Sequence, residues 1–278
     1  MQEEIYLLQC EGGEMNIFLR ELKANFRSLL IWGGIVILFS ITGFSKFAAY
    51  EGNPELIAIL DGMPPALLAA FNMNAFNLTT ITGFWGVMFN YFALLLSVAA
   101  VMWGSDIITK EERDKTVEFS LTLPIRRERL VTAKTLAALV NCVGLLLITW
   151  GITIVNAANF QTNSDFFEFV ALSMFAFFLL QMTFLAIGIL LGCALKRFKQ
   201  ASSIAVAIIL GTFFLSIIVG LNEDLEFLKY FSPFKFFNPA TILHSSQIEL
   251  VFVWICIAII AVSLVGAYLT YSRRDLYI

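Results

Sequence analysis

Residues 169–195 read FVALSMFAFFLLQMTFLAIGILLGCAL, without one Asp, Glu, Lys, Arg or His. About 20 apolar residues suffice for a helix to cross a bilayer, and only helices or closed barrels satisfy their own backbone groups there. A single run of this kind could be the core helix of a large globule. The sequence holds six, at 29–47, 81–105, 136–157, 169–195, 201–221 and 250–270, and their only charge is Lys46 near the end of the first. With 59% hydrophobic and 14% charged residues, against about a quarter charged in soluble domains, too few polar side chains remain to coat a globule. The expected fold is an all-α membrane protein with six transmembrane helices, forming one domain over 15–278.

Lys and Arg alternate across these spans. Arg20, Lys23 and Arg27 precede the first. Lys110, Arg113, Lys115, Arg126, Arg127, Arg129 and Lys134 lie between the second and third. Lys196, Arg197 and Lys199 follow the fourth, and Arg273 and Arg274 close the chain. The other set of loops holds only Lys46, Lys229 and Lys235. Positive charge stays inside, so both termini are expected in the cytoplasm of a plasma membrane.

Residues 1–14 are acidic and lack the basic and apolar regions of a signal peptide. Glu11-Gly12-Gly13-Glu14 directly precedes Met15 and can be encoded by GAAGGAGGTGAA, which reads as a bacterial ribosome-binding site. The expectation is an over-called leader, with Met15 the true start in a bacterial chain. Residues 15–27 place Met15, Phe18, Leu19, Leu22 and Phe26 on one helical face, as an amphipathic helix lying on the inner interface would. The first outer loop, 50–80, is expected to rest a short helix at the outer interface, and its Asn77-Leu78-Thr79 acceptor pattern reads as chance. In the last outer loop, 222–249, Pro233 and Pro239 break an aromatic segment into pieces too short to span. That predicts a re-entrant hairpin between spans five and six.

The chemistry that is missing narrows function. There is no phosphate-binding GxxxxGK[ST] loop, and His244 is the only histidine, which excludes HExxH zinc sites and histidine-based triads. Cys10, Cys142, Cys193 and Cys256 are far apart and form no CxxC pair. No catalytic, cofactor-binding or metal-ligating residue is expected. A net charge of −3, with no basic stretch interleaved with aromatics, leaves no case for nucleic acid. Ion-coupled carriers need ionisable groups at mid-membrane, and none lies deeper than Asp106. Asn90, Asn141, Asn156 and Gln181 are the polar amides of the spans, expected to bond between helices. Gly188 and Gly192 form a small-xxx-small pair that permits close helix approach.

The most patterned segment is the loop between spans two and three. Thr109 and Glu112 fit a capping box, Glu111 and Lys115 an i,i+4 pair, and Pro124 a stop at Leu123. A short, rigid cytoplasmic helix over 109–123 is expected. The series Glu111, Lys115-Thr116-Val117-Glu118, Leu121, Pro124, Arg127 and Lys134 resembles the ABC-2 family of ABC-transporter permeases, in which an E…T-x-E…L…P…R…K pattern precedes the third span. Ser232-Pro233-Phe234 is similar to that family's last outer loop. Arg126 departs from it, standing where Ser or Gly often precedes the Arg.

The resemblance implies the permease half of an exporter, which dimerises with a second permease subunit and docks separately encoded ATP-binding subunits. ATP and Mg would be bound by that partner, with membrane lipid around the spans and no cofactor in this chain. The nine residues of the series would couple permease to ATPase. Two other readings remain: an ATP-independent transporter or channel, and a structural or sensory membrane protein that moves nothing.

Overall fold

A computed structural model describes residues 2–53, 55, 59, 62–64, 68, 76–113, 127–195, 198–221 and 223–273; of 2–16, 111–113, 198–199, 223 and 273 the backbone alone is described. The chain is helical, in the order α1 (Gln2–Tyr50), α2 (Ile81–Arg113), α3 (Arg127–Ala157), α4 (Ser164–Ala194) and α5 (Phe198–Leu221). A 3-10 helix (Glu223–Phe231), α6 (Pro233–Phe236), α7 (Pro239–Ser245) and α8 (Leu250–Arg273) follow. Among the described residues six helices are long and apolar enough to cross a membrane. They correspond to the six expected runs and extend past them, because an apolar run sets how much helix a bilayer holds, not where the helix stops.

Helix starts have local causes. Asn77 Oδ1 accepts from the Thr79 amide at 3.0 Å, and Thr80 Oγ1 accepts from the Gly83 amide at 3.2 Å, turning the chain into α2. Asn163 caps α4 by accepting from the Phe166 amide at 3.1 Å. Pro233 and Pro239 begin α6 and α7, where the missing N–H costs nothing.

Burial separates the helices into two classes. In α2 and α4, 72% and 67% of the apolar stretch is buried, against 17–33% in the other four. A helix apolar on every side belongs in a core or in lipid, and here α2 and α4 form the core. Trp85 Nε1 donates to Ser173 Oγ at 3.2 Å, and the Phe89 and Phe177 rings lie 4.7 Å apart. Further on, Gly104, Gly188 and Gly192 bring the two backbones into contact: a Cβ on Gly104 would collide with Leu185 O, and one on Gly192 would sit 3.0 Å from Ser105 O. These contacts advance together along both helices, so α2 and α4 run parallel. The glycine pair thus has a partner within the chain.

The flanking helices obey the same alternation. Leu29 packs on Gly144, Gly33 on Ile148, and Ser40 accepts from Asn156 Nδ2 at 3.1 Å, so α1 and α3 are also parallel. Among the described residues, Asn156 alone of the four amides makes the expected interhelical bond. Gln181 is buried with neither amide atom bonded among the described residues, and Asn141 Nδ2 is likewise unbonded.

Two expectations need correction. The segment 15–27 is no separate helix but lies within α1, continuous with the first span. Its predicted apolar face divides: Phe18 and Leu22 pack against the core and Leu19 and Phe26 stay exposed, while Ile17, Glu21 and Asn25 turn inward. Thr109 starts no helix either. It lies inside α2, where its hydroxyl donates to Ser105 O at 2.8 Å, and so has no capping role. Most of 54–75 in the first outer loop lies outside the described residues.

In the last loop the aromatic residues divide: Phe227, Tyr230 and Phe231 are exposed, while Phe234, Phe236 and Phe237 pack inward. Phe234 sits 5.2 Å from Phe184 of α4 and 5.4 Å from Phe213 of α5, and Phe236 stacks on Phe252 of α8 at 5.1 Å. Ser232 Oγ fixes the turn by donating to Thr212 O at 2.7 Å.

Candidate functional site at the basic end

The helix ends α2 and α3 flank the charged loop, and the side chains on them converge on α1. Lys134 lies in the second turn of α3, where apolar neighbours would normally exclude a charge. Its Nζ donates to Ile107 O of α2 at 2.8 Å, and its side chain is 1% exposed. Glu21 of α1, 4% exposed, places Oε1 at 3.8 Å from that ammonium. Its Oε2 is 3.9 Å from Lys110 Nζ near the end of α2. Arg20 lies 3.7 Å from the same carboxylate. One buried carboxylate therefore ties together the helix leading into the loop, the helix leaving it, and α1.

At these lengths the contacts to Glu21 are charge contacts, not hydrogen bonds, and Oε2 accepts no hydrogen bond among the described residues. A desolvated carboxylate needs its cations, because burying it alone would be costly. It is not locked to either lysine by directed bonds, however, and can shift its weight between them as the helices move. Two neutral contacts brace the same region. Trp103 Nε1 donates to Ser28 Oγ at 2.9 Å, joining α2 to α1, and Thr132 Oγ1 and Tyr268 OH share a hydrogen bond of 2.7 Å, joining α3 to α8.

Of the nine residues singled out in the sequence, Lys134 is in this cluster and Arg127 opens α3 as an exposed residue. Glu111 continues α2 in backbone. Lys115, Thr116, Val117, Glu118, Leu121 and Pro124 lie outside the described residues, as does most of the expected helix 109–123. Glu21 and Lys110 were missed as site residues. A signal existed: Glu21 is the only acidic residue from Met15 to Tyr50, set among cations and one step off the apolar face.

A family model described as "ABC-2 family transporter protein" matches residues 15–276. The chain belongs to the ABC-2 transporter family. It is thus the permease of an ABC transporter, a multi-pass membrane component of a kind that in general associates with ABC ATP-binding subunits. No curated protein matches the chain. In this ABC-2 permease the Glu21 carboxylate lies beside both helices that flank the loop between the second and third spans.

Proposed function

We propose that this permease is the membrane-spanning subunit of a bacterial ATP-driven exporter. Its basic end faces the cytoplasm, both termini lie there, and the 222–249 segment is a re-entrant hairpin on the outer side. It works as a dimer with a second permease subunit and docks separate ATP-binding subunits, which hold ATP and Mg. The observation that carries this reading is the clasp of Glu21 on Lys110 and Lys134. A loop that only connected two spans would need no buried charge at its base. A loop pushed by an ATPase needs its two stalks to move as one with the rest of the bundle, and the shared carboxylate supports that.

Glu21 and the series Glu111 to Lys134 act here as transmission, not chemistry. Family membership supports an ATPase partner, and the eighteen Lys and Arg, fifteen of them on one side, support the orientation. Co-purification from the native host tests the reading. An ABC ATPase, with or without a second permease, should elute with the chain. Cargo movement by the reconstituted chain alone, with no ATPase present, would establish the ATP-independent reading instead.

A further inference from the structure

The opposite end of the molecule holds a second feature that the coupling reading does not use. A cleft of about 230 Å³ opens beneath the last hairpin. Lys235, Asn238, Thr241 and Gln247 give it polar groups, and the stacked pair Phe236 and Phe252 gives it an apolar wall. Lys235 stands between buried aromatic neighbours. Phe234 packs into the bundle, Phe236 and Phe237 line the cleft beside Lys235, and the lysine is the one charged residue of this short helix.

The charges around Lys235 are unequal. Glu226 and Lys229 also line the cleft but satisfy each other at 2.7 Å. Glu249 is an exposed residue of the lining, screened by solvent. Lys235 is half-buried and has no ion-pair partner among the described residues. Loss of water pushes its ammonium below the usual lysine range. A cation in this position gains from any anion that enters. The volume is below the 300–1,000 Å³ or so of a site enclosing a drug-sized molecule, so it suits a small charged group whose apolar part continues along the aromatic wall.

We infer that this cleft binds the anionic group of an amphipathic molecule, with the charge at Lys235 and the first carbons against Phe236 and Phe252. Its place on the path of an exported cargo rests on the export reading; the binding does not.

Photolabelling of the full chain in phosphatidylcholine nanodiscs, without ATPase, tests it. The probe is dodecyl phosphate carrying a diazirine. Labelling should map to peptides of the 232–252 region and be displaced by unlabelled dodecyl phosphate, but not by dodecanol or inorganic phosphate. Losing a hydrogen-bonded charge contact should lower hairpin labelling about tenfold or more in Lys235→Gln, while Lys235→Arg retains it and Lys46→Gln changes nothing. Phe252→Ala, which leaves every charge in place, should also lower it. Undiminished labelling in Lys235→Gln or in Phe252→Ala overturns the proposal. So does equal labelling by a diazirine dodecanol, which marks bulk partitioning, or displacement by inorganic phosphate, which marks a free-anion site. Failure of any of these leaves the Glu21 clasp and the ATPase partnership untouched.

Discussion

The Lys134 ammonium stands 3.8 Å from the Glu21 carboxylate, both buried, on helices that α2 bridges through Ile107 and Lys110. Removing one partner of a buried pair leaves the other as an uncompensated charge and costs about 3–5 kcal/mol, whereas replacing both with apolar groups is often neutral. Glu21→Gln is therefore expected to lower thermal stability in nanodiscs strongly. Lys134→Met should cost less, since Lys110 remains beside Glu21. The double variant Glu21→Leu/Lys134→Met should be more stable than Glu21→Gln alone. Simple additivity of single effects in the unfolding series would show that the two residues do not act as a pair.

The α2–α4 contact predicts a second asymmetry. Gly104→Val places side-chain atoms against the Leu185 carbonyl, and Gly188→Val places them against backbone of Val101 and Ser105. Overpacking of this kind costs about 1–3 kcal/mol or more. Gly211 has nothing within 4 Å of an added Cβ, so Gly211→Ala should be silent or slightly stabilising. Monodisperse yield and melting temperature separate the two outcomes, and equal behaviour of the Gly104 and Gly211 variants would contradict the packing.

The sequence was legible where one physical quantity dominates. Six uninterrupted apolar runs can be little else than spans, and proline at 233 and 239 sets the breaks in the last loop. Gly188 and Gly192 announced a close approach, and Ala100 and Gly104 repeat the small-xxx-small spacing in α2, but spacing alone does not say which helix meets which. Glu21 was legible as the one carboxylate of 15–50, but among Arg20, Lys23 and Arg27 it reads as solvated, and only the third dimension brings Lys134 to it. Thr109 was misread because one hydroxyl serves equally well as a cap or as a donor to the carbonyl one turn back. Whether the helix continues decides between them, and apolar packing of Ile107 and Ile108 into the core keeps it going.

The proposed topology rests on the charge alternation. In a cysteine-free background, cysteines at Gln161 or Glu223 are expected to react with an impermeant maleimide on intact cells, and cysteines at Arg113 or Lys199 are not. Modification at Arg113 in sealed cells would reverse the orientation proposed.

The final expectation concerns Glu118, in the charged loop between α2 and α3. In sequence it follows Asp114 by four residues, and like charges at that spacing disfavour a helix slightly while both remain free. A basic residue on a docked ATPase would relieve that repulsion, so the segment gains most from exactly the partner that the permease role requires. Removing such a charge from an interface costs about 2–5 kcal/mol when the pair is desolvated. Glu118→Ala is expected to leave membrane insertion, dimerisation and the melting temperature unchanged, while ATPase co-purification and transport fall together. Glu21→Gln should behave differently: its ATPase should still bind, since the docking loop is intact, but transport should drop because the stalks no longer move with α1. Glu51→Ala, in the first outer loop, serves as the control and should match wild type in every assay. Transport by Glu118→Ala equal to wild type, at equal membrane levels, removes this residue from the coupling path.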